Sequence, residues 1–416
     1  MQAGFHCAPV TPTGELELSG IGQRRIAKDA LDQLTIRVAA FDDGQGNQAL
    51  LVAFDLLYVG RKLAGQLYQL ICNHHGIDED RVLLLATHTH SAPKIADEFL
   101  DDLTVDQDCY DHLVAAAKHA IHSALHNMKP AKLAFASNGD IPTINRRVPI
   151  SLIGNLHPYF RGRQVANLPN RSAQSDKDVT ICAVTFNDGR YFLLANYAMH
   201  SSVFRGASYS GDHPFYVEAA IRASDPTCLG CLFLQGFAGD QAADVTAENP
   251  WSLHPLKLLE RLMSKERFDR SGGAEELKLL AARIAERIQL ARLEENALSI
   301  IIGHQTATPV TVERGENRTL EIKGIRIGKL KILAANGEPV AAYRSKLMSM
   351  TDGPMMTVGY LNGPIGYIPD KKVLSEGGYE PNRSPGLFGQ PTPFTPTIET
   401  TFIQAAQEVI TRMDDH

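Results

Sequence analysis

The sequence predicts a mixed α/β fold, with one or more sheets flanked by helices. Two observations carry that expectation. Short apolar or alternating runs of strand length recur along the whole chain, and amphipathic runs of helical period separate them. No unit repeats at constant period, which argues against a solenoid or propeller. Gly- and Pro-rich interruptions at 149–170, 246–255, 306–318 and 381–396 are loops rather than long linkers, so residues 1–416 read as a single catalytic-sized domain.

Taken in order, the strand candidates are 34–40, 49–55, 82–86, 132–136, 180–186, 191–195, 229–235, 298–306, 324–327, 330–335 and 357–361. Each is short, rich in Val, Ile, Leu, Phe or Tyr, and bounded by turn residues. Helical periodicity is clearest over 62–75, 111–128, 215–223, 274–295 and 398–413. The second of these carries His112, His119, His122 and His126, whose spacing fits a polar helical face.

Composition narrows the function classes. The 41 Lys and Arg against 47 Asp and Glu give a net charge of -6, which offers no basic footprint for nucleic acid. No run approaches the roughly 18 apolar residues of a spanning helix, so integral membrane association is not expected. The first residues lack a charged and then apolar leader pattern, and the expected setting is cytoplasmic. Six cysteines are sparse for 416 residues; the Cys228-Leu-Gly-Cys231 spacing has no second pair, and the thiols are expected to be reduced and structural.

Chemistry concentrates where apolar strands end. Leu83-Leu84-Leu85-Ala86 runs into Thr87-His88-Thr89-His90-Ser91-Ala92-Pro93. Two histidines at i and i+2 leave the same side of an extended chain, and neutral imidazoles at a rigid strand end suit zinc. Tyr191 to Ala195 runs into Asn196-Tyr197-Ala198-Met199-His200, with Asp212-His213-Pro214 following before a helix. Leu232-Phe233-Leu234-Gln235 runs into Gly236-Phe237-Ala238-Gly239-Asp240-Gln241, where Asp240 either takes part in catalysis or holds its loop through backbone hydrogen bonds. Three strands ending in polar loops predict one shared rim.

These segments, with Asn362-Gly363-Pro364-Ile365-Gly366-Tyr367-Ile368-Pro369, Ala3-Gly4-Phe5, Val10-Thr11-Pro12 and Glu376-Gly377-Gly378-Tyr379-Glu380, resemble the neutral/alkaline ceramidase family from about residue 3 to 410. The resemblance implies that family's catalytic-domain fold and one zinc ion per chain. It implies His88, His200, Glu338 (in Asn336-Gly337-Glu338) and Tyr367 as ligands, and His90 as the group that exchanges protons beside the metal. Arg146, or its neighbour Arg147, and Tyr379 are implied as donors to the developing oxyanion. Zinc would then generate the nucleophile from water at neutral pH.

Two departures refine the expectation. Ala242 stands where the family has a Ser, so no serine nucleophile is expected there. The family's immunoglobulin-like C-terminal domain is not expected in this chain, and no apolar surface or anchor for extracting a membrane lipid is evident. The expected activity is zinc-dependent hydrolysis of a linear amide in a small or lipid-like molecule, with soluble short-acyl amides preferred over long-chain ceramide. The alternatives are a metal hydrolase of an ester or small non-lipid amide, and a non-catalytic binding protein that keeps the fold.

Overall fold

The computed structural model describes residues 1–20, 22, 24–100, 103–150, 164–269, 273–291, 293–296 and 300–415. Among these, the largest sheet runs Cys228–Gln235, Tyr191–Tyr197, Val179–Phe186, Lys129–Asn138, Gln2–Pro9, Thr35–Asp42, Gln48–Phe54, Val82–Ala86, with Glu294–Asn296 also paired to Lys129–Asn138. A second sheet runs Ile301–Val310, Arg318–Ile327, Leu330–Ala335, Met355–Val358.

Successive side chains of a strand point to opposite faces, so each sheet has two distinct neighbours. On one face of the large sheet, Ile36, Val38, Val52, Phe54 and Leu84 meet the helices Arg61–His75 and Gln107–His126. Farther along that face, Ile181, Ala183, Leu193 and Phe233 meet the helices His213–Ser224 and Ala274–Gln289. The alternate residues Phe41, Leu51, Leu83, Leu85, Leu194 and Leu234 pack on Ile325, Ile332, Met356 and Val358 of the second sheet. That sheet's far face, through Ile322 and Leu333, is closed by Phe402, Ala406 and Val409 of the helix Ile398–Asp414. The result is a helix, sheet, sheet, helix sandwich.

Most predicted elements stand within a few residues of their expected limits, and Val82–Ala86 and Leu330–Ala335 match them. The strand expected at 298–306 is Ile301–Val310, and positions 298 and 299 lie outside the described residues. The helix expected over 274–295 ends at Gln289 instead. Its buried stripe finishes at Ile288, and Glu294–Asn296 pairs with the Lys129–Asn138 strand. Gln2–Pro9, not predicted, lies inside the large sheet because Gly4 lets the helix Gln107–His126 cross it closely. A Cβ there would fall 1.9 Å from the Ala124 carbonyl. The four histidines of that helix are exposed, as a polar face requires. All six cysteines are free thiols. Among the described residues no helix is long and apolar enough to cross a membrane.

Parallel pairs position the chemistry. Gln48–Phe54 lies parallel to Val82–Ala86, Tyr191–Tyr197 to Cys228–Gln235, and Leu330–Ala335 to Met355–Val358. Parallel neighbours require a crossover, so within each pair the two carboxyl ends emerge on the same rim, where the connecting loops are free to carry function. The two sheets are stitched at this rim by Ala86 N–H to Tyr360 O (3.1 Å), Asn362 N–H to Leu84 O (3.1 Å) and Gly359 N–H to Gln235 O (2.9 Å). Strand ends distant in sequence therefore meet.

A candidate metal centre at the strand ends

His88 follows Val82–Ala86, His200 follows Tyr191–Tyr197, and Glu338 follows Leu330–Ala335, each within a few residues of the strand's end. The expectation that His88 and His90 share one side of an extended chain is corrected by the backbone. His88 has φ +62°, in the left-handed region that a residue with a Cβ rarely adopts. The chain turns at His88, and that turn, not strand alternation, brings the two rings to 4.9 Å between centroids.

The imidazoles are oriented by backbone carbonyls. His88 Nδ1 lies 2.9 Å from Leu57 O, His90 Nδ1 2.7 Å from Gly20 O, and His200 Nδ1 3.3 Å from Ala238 O. A carbonyl can only accept, so each Nδ1 carries the proton and each Nε2 presents its lone pair. The His88 and His200 Nε2 atoms stand 3.2 Å apart, and His90 Nε2 is buried with no hydrogen-bond partner. The ligand atoms of the three residues all lie within 4.8 Å of one another. Burial and the neighbouring cationic groups push His90 and His200 well below the ordinary histidine range. Converging neutral lone pairs without a donor between them repel unless a cation joins them. The three imidazoles could hold a metal ion among them.

A buried carboxylate lies beside the imidazoles. Glu338 is fully buried, with Oε2 3.4 Å from His88 Nε2. Burial acts to raise its pKa, and the Tyr58 hydroxyl and the Arg146 guanidinium act to lower it. Glu338–Pro339 pairs with Tyr367–Ile368, which sets Tyr367 opposite Glu338 in register. The Tyr367 hydroxyl accepts a hydrogen bond from Arg146 Nη2 at 3.1 Å.

Arg146 is buried and held at three points: Nη2 also reaches Gly239 O at 2.8 Å, and Nε reaches Glu380 Oε1 at 3.2 Å. Arg147 turns away to Glu380, Glu376 (3.2 Å) and Gly377 O (2.7 Å), so Arg146 is the arginine beside Tyr367. The Tyr379 ring lies edge-on to Tyr367, 5.6 Å between centroids. Asp240 is occupied structurally. Its Oδ1 accepts from Ala341 N–H (2.9 Å) and its Oδ2 from Asn145 Nδ2 (2.9 Å), fastening its loop to the segment after Glu338. Ala242 lines a cleft with Arg146, Asn167, His200, Ser202, Arg205, Phe268 and Asp269.

No protein-family model matches the chain, and no curated protein matches its sequence. Solved structures that share its architecture include two ceramidases. One is the neutral ceramidase from Pseudomonas aeruginosa, 16% identical with a TM-score of 0.74, the match covering 99% of this chain and 74% of that one. The chain has the neutral ceramidase fold. The other, a ceramidase complexed with C2, is 15% identical with a TM-score of 0.75, the match covering 100% of this chain and 75% of the other.

Within the neutral ceramidase fold, several site residues escaped the sequence reading. Tyr58 and Tyr360 hydrogen-bond Glu338, Asp55 accepts a hydrogen bond from Thr87 beside His88, and Gly20 touches His90. Tyr360 directly follows the gap after Met355–Val358 and Asp55 directly follows Gln48–Phe54, so the strand-end rule that exposed His200 applies to them also. Gly20 needs to be glycine: its φ is +95°, and a Cβ would stand 2.7 Å from His90 Nδ1. Among the described residues Trp251, Leu253 and Leu262 are 70%, 100% and 54% exposed.

Proposed function

We propose that this chain is a zinc-dependent hydrolase of a linear amide, with one metal ion per chain held by His88, His200, Glu338 and Tyr367. The observation that carries the reading is the convergence of imidazole lone pairs, each pinned by an Nδ1 carbonyl contact, beside a buried carboxylate and a phenol. The two similar solved structures described above are ceramidases, which cleave an amide, and this supports the bond type. Zinc in such a donor set supplies a Lewis acid for the carbonyl and a water acidified toward neutral pH.

The chain's own groups do the rest. The guanidinium of Arg146, fixed by Gly239 O and Glu380, keeps the Tyr367 oxygen in place and offers N–H donors to a carbonyl oxygen that gains charge. Tyr379 adds a hydroxyl on the same side; burial, foremost, pushes it up to about 12, so it remains a donor at neutral pH. His90 holds its Nδ1 proton on Gly20 O and leaves Nε2 open to take a proton from water and pass it to the departing amine. Ala242 supplies no nucleophile, and with water acidified by the metal no acyl-enzyme is needed. The described cleft walls join Asn167, Ser202, Arg205 and Asp269 to Val203, Val245 and Phe268, a mixed lining that fits an amide with a short acyl group.

The test is metal analysis of protein purified without added metal, followed by hydrolysis assays on short N-acyl amines and on ceramide in detergent. About one zinc per chain, its loss in His88→Ala and His200→Ala, and faster turnover of the short amides are expected. Full metal occupancy in both variants sinks the ligand assignment.

A further inference from the structure

Glu338 is more heavily constrained than ligation alone requires. The Tyr58 hydroxyl donates to Oε1 at 2.5 Å, and the Tyr360 hydroxyl donates to Oε2 at 3.2 Å. Both phenols also flank His88: the ring of Tyr360 lies 4.1 Å from the His88 ring between centroids, tilted 33°, and that of Tyr58 lies 5.1 Å away. Tyr360 reaches this position through a left-handed backbone, φ +60°, a conformation costly for a residue with a Cβ. Its N–H is tied to Gly337 O at 2.8 Å and its carbonyl accepts from Ala86 N–H, so the strained residue bridges the strand ends that carry Glu338 and His88. Tyr58 is held from behind by Phe99 and Phe388, at 5.5 and 5.7 Å between centroids.

We infer that Tyr58 and Tyr360 are positioning residues that clamp the Glu338 carboxylate, one phenol on each oxygen, for a divalent ion shared with His88. The inference rests on the metal-centre reading above. A buried carboxylate free to rotate would spend much of its time turned from the ion, and charge-assisted hydrogen bonds on both oxygens remove that freedom before the ion arrives. Neither phenol is a ligand in this account. Each acts through Glu338, and the flanking rings confine His88 at the same time.

The experiment measures Zn²⁺ affinity by competition with a chromophoric chelator in apo-protein bearing Tyr58→Phe, Tyr360→Phe or Glu338→Gln, and in the double variants with Glu338→Gln. Tyr68→Phe is the control. It removes another buried phenol hydroxyl, which donates to Asn362 Oδ1 at 2.6 Å away from the centre. Tyr58→Phe and Tyr360→Phe each weaken Zn²⁺ binding by about 10- to 100-fold, the usual range for groups that orient a ligand, and Tyr68→Phe by less than about twofold. In the Glu338→Gln background the phenol substitutions have little further effect, whereas a general loss of structure would lower affinity in both backgrounds. Wild-type affinity in both phenylalanine variants, or equal losses with and without Glu338, overturns the clamp alone. Wild-type protein that takes up no Zn²⁺ overturns the metal-centre reading and the clamp with it.

Discussion

Asp55→Ala is expected to cost about 3–5 kcal/mol of folding stability, the range for stranding one member of a buried ion pair. The Asp55 side chain is fully buried and Arg37 nearly so, with Nη1 3.0 Å from Asp55 Oδ2. Asp55 Oδ2 also accepts from Thr35 N–H (2.9 Å) and Thr35 Oγ1 (2.7 Å), and Oδ1 accepts from Thr87 Oγ1 at 3.1 Å. Removing the carboxylate leaves Arg37 with Glu218 alone, at 2.6 Å, and frees Thr87 immediately before the turn at His88. Hydrogen bonds to a charged group contribute about 1.5–3 kcal/mol each, but they share one carboxylate and do not add. The assay is urea denaturation of Asp55→Ala, Arg37→Met and the double variant, followed by both fluorescence and circular dichroism so that coincidence of the transitions is tested. The double variant should lose no more than the worse single one, because no uncompensated partner of the Arg37–Asp55 pair remains. A loss below about 1 kcal/mol in Asp55→Ala, or simple additivity in the double variant, refutes the reasoning.

His90→Ala should keep about one zinc per chain while kcat falls by about 10²- to 10⁴-fold, the range for losing a proton-transfer group; loss of the metal would make His90 a ligand. Asp32, whose carboxyl burial drives up to about 7, stays protonated in the folded chain between about pH 4 and 7, where the unfolded chain has released that proton. Stability should therefore decline as pH rises through that window. Asp32→Asn should flatten the decline in urea midpoints, and an unchanged profile would count against it. Rapid quench during turnover should trap no acyl group on the protein, because Ala242 offers no hydroxyl, and a labelled covalent adduct would contradict this.

Much of the candidate site was legible because its residues sit where apolar runs end. Leu83-Leu84-Leu85-Ala86 before His88 and Leu193-Leu194-Ala195 before Asn196 are buried on both faces of a sheet, which requires continuous apolar sequence, and the first polar residues beyond must belong to the rim. Asp55 has the same signature after Val52-Ala53-Phe54 and was read only as the last residue of a strand. Glu338, Arg146 and Tyr379 carry no comparable local mark and emerged through resemblance alone. Asp240 was left between two roles, and its contacts with Ala341 and Asn145 show it holding its loop.

Periodicity by itself determined the mixed α/β class, most strand and helix positions and the polar face of the Gln107–His126 helix, because these depend on neighbours within a few residues along the chain. Composition adds that the net charge of -6 gives no overall basic footprint and that no run is long and apolar enough for a spanning helix. Only the tertiary structure decided that the strands divide into two stacked sheets, that the Ala274–Gln289 helix stops short, and that Gln2–Pro9 lies inside a sheet with Gly4 against Ala124. It alone set the left-handed turn at His88, the proton on each Nδ1, the selection of Arg146 over Arg147 beside Tyr367, and the two phenols on Glu338. Each depends on groups brought together from distant parts of the chain; Tyr58 and Glu338 are 280 residues apart in sequence and 2.5 Å apart in space. A local pattern shows which residues will be buried or exposed at a strand end. Which strand end it will face is settled by the packing of the whole sandwich.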